Sequence, residues 1–412
     1  MIEIPLQYIK TNEVIGHLAY RRRPLLMKQS RLIGRHVLVP EINLAAYKTW
    51  AVIDFIDLRL LLGRKSQFHH IKAIVDGIVG RSCYVFPHDG GNGGETCKFD
   101  VRVQDPEVEG LFGLAQAINE RYRLELDPAI ATLEVSIDFY PRHPDKVARA
   151  RMLKTLMNSF MPTRDVFSDP LERPRFTFGR RPEETKFPMF CKGDLTERGL
   201  RHFEMSTEED LAPYMDASFY VGARNSDSAW RIYDKILDRQ NPDTGERHEL
   251  PEDDRRARIE VTLQRPELAA IGLTCLHELK QFSFTSLQGR YFNFMQPTLH
   301  EEGPGVKGAM QKWQDGRRVE KFAKTGVIGL RHMDEAQEDH RTQLRHREME
   351  NMHQVGLRLP SKNRTGHGVG GTMVSYDEMN RVVSKALEHL DRRVATAFVR
   401  VERRNGQRWS VG

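Results

Sequence analysis

Leu133-Glu134-Val135-Ser136-Ile137-Asp138-Phe139 alternates without a break, apolar at every odd position and polar at every even one. Side chains leave a strand on alternate faces, so Glu134, Ser136 and Asp138 point away from Leu133, Val135, Ile137 and Phe139. The segment reads as a half-buried β-strand. Arg258-Ile259-Glu260-Val261-Thr262-Leu263 repeats the pattern, with Arg258, Glu260 and Thr262 on one face. In Trp230-Arg231-Ile232-Tyr233-Asp234-Lys235, the face of Arg231, Tyr233 and Lys235 opposes Trp230, Ile232 and Asp234. If these strands share a sheet, one face is core and the other gathers carboxylates, arginine, lysine and a tyrosine. Two readings of that face stay open: the wet side of an antiparallel sheet, or a site.

The site reading has definite chemistry. Glu134, Asp138 and Glu260 offer the hard oxygen ligands that suit Mg²⁺ or Mn²⁺, which polarise a phosphodiester. Tyr233 becomes a nucleophile once a metal or cationic neighbour favours its phenolate. Arg231 and Lys235 would hold the phosphate and offset developing charge. Glu134 and Asp138 are four residues apart, ~13 Å along a strand at ~3.3 Å per residue, so direct ligation of one ion by both is strained. Either one binds metal while the other orients a partner, or a bulge shortens the gap.

Outward from these strands, 412 residues suggest two compact units with appendages. The divisions expected are a basic N-terminal extension over 1–49, a first α+β unit over 50–126, a catalytic unit over 127–300, and a charged, partly mobile region over 301–412. Val52 to Leu58 reads as a strand, Phe68 to Val79 and Glu107 to Arg121 as helices, and Pro144 to Met157 as a basic helix. Ser82 to Phe86 and Thr96 to Val103 flank the glycine-rich stretch 90–94 and read as a β-hairpin. Pro162 to Lys192, rich in proline and arginine, reads as a long exposed connection. Tyr376 to Val401 reads as an amphipathic helix. In the extension, Arg21-Arg22-Arg23, Lys28, Arg31 and Arg35 fit either a phosphate-contacting arm or a solvated tail.

With 39% hydrophobic residues, 29% charged residues and a mean hydropathy of −0.57, the chain supports a packed core and offers no transmembrane helix. Met1-Ile2-Glu3-Ile4-Pro5 lacks the pattern of a secretory signal. Four cysteines without a Cys-x-x-Cys argue against disulfide or zinc scaffolds, which makes a reducing cytoplasm the expected home. A net charge of +6 makes a polyanionic partner plausible without establishing one.

Three separated segments then narrow the reading. Phe219-Tyr220-Val221-Gly222-Ala223-Arg224-Asn225-Ser226-Asp227, Trp230 to Lys235 and Arg258-Ile259-Glu260-Val261 follow in the order of a known family. Together they resemble the trans-acting replication initiators of rolling-circle plasmids, a family that includes filamentous-phage replication proteins and relaxases of some conjugative elements. That family carries Tyr-x-Gly-x-Arg-x-Ser-Asp, Arg-Ile-Tyr-Asn/Asp-Lys and Arg-x-Glu segments, with Leu-Asp-x-x-x-Asp upstream. Here the last is Leu133 to Asp138, with Glu134 for the first Asp. The resemblance covers about 131–264. It implies an α+β fold related to rolling-circle endonucleases, with antiparallel sheets, packed helices and here a helical C-terminal appendage. It also implies nicking of an origin strand by Tyr233, leaving a 5′-phosphotyrosine and a free 3′-hydroxyl.

Arg21, Arg22, Arg23, Arg224 and Arg258 are the expected DNA contacts, and Mg²⁺ or Mn²⁺ the expected cofactor. The expected partners are DNA, single-stranded at the cleavage point, a host helicase and a second copy of the chain, with no membrane. A conjugative relaxase and a non-catalytic origin-binding protein are the alternatives. A His-hydrophobic-His metal motif is not matched, since His69-His70 lacks the spacing. Gly366-His367-Gly368-Val369-Gly370-Gly371 follows a loop rather than a strand, so it does not read as a nucleotide site. His332, His340, His346 and His353 read as a solvated helix face. Tyr220, the rival nucleophile, reads as a packing residue.

Overall fold

The computed structural model describes residues 1–26, 32–88, 95–179, 184–189, 206–240, 247–301, 304–354 and 372–405. Lys28, Arg31, Arg180, Arg181, Cys191 and the glycine-rich stretches 90–94 and 366–371 lie outside the described residues. In chain order the strands are β1 (Ile2–Gln7), β2 (Val14–Pro24), β3 (Arg35–Pro40), β4 (Tyr47–Gln67), β5 (Tyr84–Pro87), β6 (Glu95–Gln104), β7 (Ala129–Pro141) and β8 (Arg175–Thr177). They continue with β9 (Thr185–Lys186), β10 (Ser218–Val221), β11 (Ser228–Lys235), β12 (Leu237–Gln240), β13 (Arg247–Glu249), β14 (Arg256–Gln264), β15 (Met295–His300) and β16 (Met373–Ser375). The longer helices are α1 (Phe68–Val79), α2 (Val108–Tyr122), α3 (Lys146–Ser159), α4 (Gly305–Gln354) and α5 (Asp377–Asn405).

The fold is mixed α+β, with large antiparallel sheets and packed helices. A nine-stranded sheet runs β5-β6-β4-β7-β14-β11-β10-β8-β9, and a five-stranded sheet runs β1-β2-β3-β15-β16. Alternation sets the register at the centre of the larger sheet. Ile137 pairs with Ile259 and Ile259 with Ile232, and all three are fully buried. A one-residue slip would turn this row to solvent, so the register is strongly specified.

Helix α3 covers that core face. Asp145 caps it by accepting hydrogen bonds from the Val147 and Ala148 amides. Ala150, Leu153, Leu156 and Met157 are buried, because α3 lies between the nine-stranded sheet and β2 with α4 beside it. Helix α4 breaks at Gly326, where φ is 68° and a Cβ would stand 2.8 Å from the Met157 carbonyl oxygen. Only glycine admits both the left-handed backbone and that approach.

Three regions differ from their sequence reading. Where an arm is one reading, β1, β2 and β3 form: Leu6, Leu18 and Leu38 are fully buried, while Arg21, Arg22 and Arg23, alternating between the two faces at the end of β2, are all exposed. The arginine run hides a short apolar alternation through Leu18 and Tyr20. The connection 162–192 is partly internal, since Val166 and Phe176 are buried and β8 pairs with β10. Helix α5 is amphipathic as expected, but it belongs to the core. Val383, Leu387, Leu390, Val394 and Phe398 are buried, and the Phe398 ring lies 4.6 Å from that of Phe112. No helix among the described residues is long and apolar enough to cross a membrane.

Candidate metal centre

The polar face of the large sheet carries Glu134 on β7, Glu260 on β14 and Asp54 on β4. One carboxylate oxygen from each lies within 4.8 Å of the others, and all three side chains are at least partly buried. Two register facts bring them together. Glu134 pairs with Thr262, two residues beyond Glu260 on the same face. On β4, Ile53 pairs with Val135 but Phe55 with Glu134, so Asp54 is the extra residue of a β-bulge. A bulge turns consecutive residues to one side and re-aims them, which brings Asp54 to the glutamates.

Positive side chains surround the triad. The Arg258 guanidinium donates to Asp54 Oδ1, and Lys235 Nζ lies 3.7 Å from the same oxygen. Arg231 Nη1 stands 3.5 Å from Glu260 Oε1, and its guanidinium carbon lies 3.9 Å from the centre of the Tyr233 ring. The Tyr233 hydroxyl donates to Glu260 Oε2 at 3.0 Å. Thr262 Oγ1 donates to Glu134.

The electrostatics are uneven. Burial opposes ionisation of Asp54, but Arg258 and Lys235 outweigh it and hold this carboxyl below the usual range. Burial and the neighbouring Glu260 charge push Glu134 up to about 8. Burial also raises Glu260, against the pull of Arg231 and Arg258. The Tyr233 phenol stands well above its ordinary value through burial and then Glu260, with Arg258 and Arg231 opposing. A buried carboxyl that keeps its proton beside a second carboxylate is a place where a cation would be welcome. An all-oxygen donor set suits a hard divalent ion without selecting which.

The sequence-predicted residues divide accordingly. Glu134, Glu260, Tyr233, Arg231 and Lys235 converge. Asp138, read with Glu134 and Glu260 as a metal residue, stands outside the triad, whose third carboxylate is Asp54. Asp138 itself is 1% exposed and held by Arg258, whose Nε and Nη2 donate at 2.5 and 2.7 Å. Arg258, expected on DNA, is 1% exposed and committed to Asp138 and Asp54. Arg21, Arg22 and Arg23 lie on the other sheet, behind α3, while Arg224 is exposed at the site.

Asp54 was not singled out by the sequence reading. Its signal was weak: an acid within the apolar run Val52 to Leu58, at the same parity as Val52, Ile56 and Leu58. Beside Glu134 and Glu260 a cavity of about 540 Å³ opens, with Arg102, Arg175, Arg224 and Arg231 on its walls. Tyr220 lies between two of them, 5.4 Å from the Arg175 guanidinium carbon and 5.5 Å from that of Arg231. The arrangement is a carboxylate floor within a cationic wall, next to a half-buried phenol.

No family model matches the sequence, and no curated protein matches it. Among solved structures, a rolling circle replication initiator protein from Geobacillus stearothermophilus is similar at a TM-score of 0.28 and 11% identity, covering 68% of this chain and 99% of that one. A likeness this distant carries no argument by itself.

Proposed function

We propose that the chain is a metal-dependent DNA nicking and strand-transfer enzyme that opens one strand at an origin to start rolling-circle replication, with Tyr233 as nucleophile. The observation that carries this reading is the hydrogen bond from Tyr233 to Glu260 at 3.0 Å, because Glu260 also belongs to the acidic triad. A phenol and a three-carboxylate centre sharing one group is the juxtaposition that tyrosine-mediated phosphodiester cleavage requires.

In this mechanism Asp54, Glu134 and Glu260 would hold Mg²⁺ or Mn²⁺, which would supply Lewis-acid polarisation of a phosphodiester. Tyr233 gives its proton to Glu260 as its oxygen attacks phosphorus. The bond from phosphorus to the 3′ oxygen breaks, and the leaving oxygen takes up the proton that Glu260 received from Tyr233, passed on through water, as a free 3′-hydroxyl. Phosphorus stays attached through a 5′-phosphotyrosine. Arg231, on the Tyr233 ring and beside Glu260, offsets the charge that builds on the non-bridging oxygens. Arg224 and the exposed Arg21 to Arg23 are proposed phosphate contacts at separate places on the molecule. Supercoiled plasmid carrying the origin, incubated with the protein and Mn²⁺, should yield open circles with protein covalently bound. Intact plasmid under these conditions would refute the reading.

A further inference from the structure

Strand β4 has an open edge. Strand β6 pairs with it only from Phe55 onward, whereas β7 pairs from Tyr47, so the first residues of β4 have a strand on one side alone. Helix α5 closes this gap with a cation: Arg393 donates to the Ala51 carbonyl, and its guanidinium carbon stands 4.2 Å from the centre of the Trp50 ring.

Trp50 begins a ladder of alternating aromatic and basic groups. Lys48 Nζ lies 5.6 Å from the Trp50 ring and 6.0 Å from the Tyr140 ring. The Arg256 guanidinium carbon is 5.1 Å from Tyr140, whose hydroxyl reaches Asp138 at 3.4 Å. Asp138 binds Arg258, and Arg258 binds Asp54 of the triad. Along β4, Trp50 is four residues from Asp54, ~13 Å at ~3.3 Å per residue. A cavity of about 400 Å³ opens over Trp50, lined also by His389, Arg392, Arg393, Thr396 and Arg400 of α5. Among the described residues no carboxylate lines it.

An aromatic wall, a cationic rim and continuity with a phosphodiester-cleaving centre together select the occupant. Bases of a single strand stack on aromatic faces without sequence preference, while arginine and lysine track the backbone. We infer that the cavity between Trp50 and α5 is a nucleotide subsite: a base of the single-stranded DNA beside the nick stacks on Trp50, and its phosphate is held by Arg392 and Arg393. The inference rests on the nuclease reading for its substrate, but its test does not require cleavage.

The experiment measures binding of fluorescein-labelled dT12 to the full chain carrying Tyr233→Phe, in Mn²⁺, with Mn²⁺ affinity followed separately by calorimetry. Adding Trp50→Ala should weaken dT12 binding about tenfold, whereas Trp50→Phe, which keeps a stacking face, should stay within about twofold of the parent. Arg393→Gln should lower the slope of log K on log salt by ~0.7, the share of one phosphate on a single strand. Mn²⁺ affinity should be unchanged in each variant. Parent-like binding by Trp50→Ala, loss of Mn²⁺ affinity along with DNA affinity, or no dT12 binding by the parent would each overturn the inference. Trp50-dependent binding in a chain whose wild type fails to nick would support the subsite and refute only the nuclease.

Discussion

Arg258 joins Asp138 and Asp54, two aspartates on neighbouring strands of which only the second belongs to the triad. One guanidinium therefore links a carboxylate outside the triad to one inside it. The residues that flank it call for opposite experimental outcomes.

Replacing Asp138 by Ala takes from buried Arg258 the carboxylate that accepts two of its hydrogen bonds and leaves it Asp54 alone. Breaking such a pair by removing one partner costs ~3–5 kcal/mol. Denaturant unfolding should show that loss directly, and Arg258→Met made together with Asp138→Leu should recover part of it. Glu134→Gln, by contrast, should keep the fold and remove Mn²⁺ binding in calorimetry. Equal Mn²⁺ affinity in Glu134→Gln and wild type would exclude this carboxylate as a ligand.

Tyr233→Phe keeps the ring under Arg231 and removes only the hydroxyl that meets Glu260. Nicking and the covalent DNA adduct should disappear, with DNA affinity within about twofold of wild type since no phosphate contact is lost. Adduct that survives this change would move the nucleophile, with Tyr220 the next position to test.

On the proposed metal reading protons and the ion would compete at Glu134, whose carboxyl is pushed up to about 8 by burial and by the Glu260 charge. Apparent Mn²⁺ affinity should rise as pH climbs toward 8 and level above it. The linkage sign for the metal-free fold runs the other way. A carboxyl whose folded pKa is raised binds more protons folded than unfolded, so stability falls as pH rises from the ordinary carboxylate range to about 8. Thermal melts across that window should show the decline in wild type and a flatter profile in Glu134→Gln. A stability that climbs from pH 5 to pH 8 in EDTA, and does so equally in both proteins, would contradict the assignment.

Gly326→Ala tests the packing of α4 on α3. The new Cβ meets a backbone oxygen at 2.8 Å in a left-handed conformation. A loss of ~1–3 kcal/mol is expected in denaturant unfolding. Gly305→Ala, which shares the positive φ but meets nothing within 4 Å, should cost less.

Much of this was legible in the chain, for a reason that also sets the limit. Alternation is a local property, so β7, β11 and β14 and their polar faces could be read from Leu133 to Phe139, Trp230 to Lys235 and Arg258 to Leu263. The gathering of Glu134, Glu260, Tyr233 and Arg231 followed once those strands were neighbours. The bulge at Asp54 was not legible, because it exists only as a mismatch between two strands and neither sequence carries it alone. Arg258 shows the same limit: its parity was right, but whether a face residue meets solvent or two carboxylates depends on strand neighbours. Residues 2–40 and α5 were underrated because their apolar positions are scattered among arginines, and what they cover comes from distant parts of the chain.

Tyr233 and Asp234 are consecutive, so they leave β11 on opposite sides. On the reverse side Arg149 of α3 holds Asp234 at 3.1 Å and reaches Glu252 at 3.0 Å. The phenol thus cannot slide along its strand without pulling a buried ion pair apart on the far side of the sheet. The aim of this proposed nucleophile is held from the reverse side of its sheet. Random mutagenesis scored on turnover alone would accordingly flag positions on α3, far from the cleft, as if they were part of it. Arg149→Leu should behave as a remote defect of aim, with DNA affinity spared and the chemical step slowed.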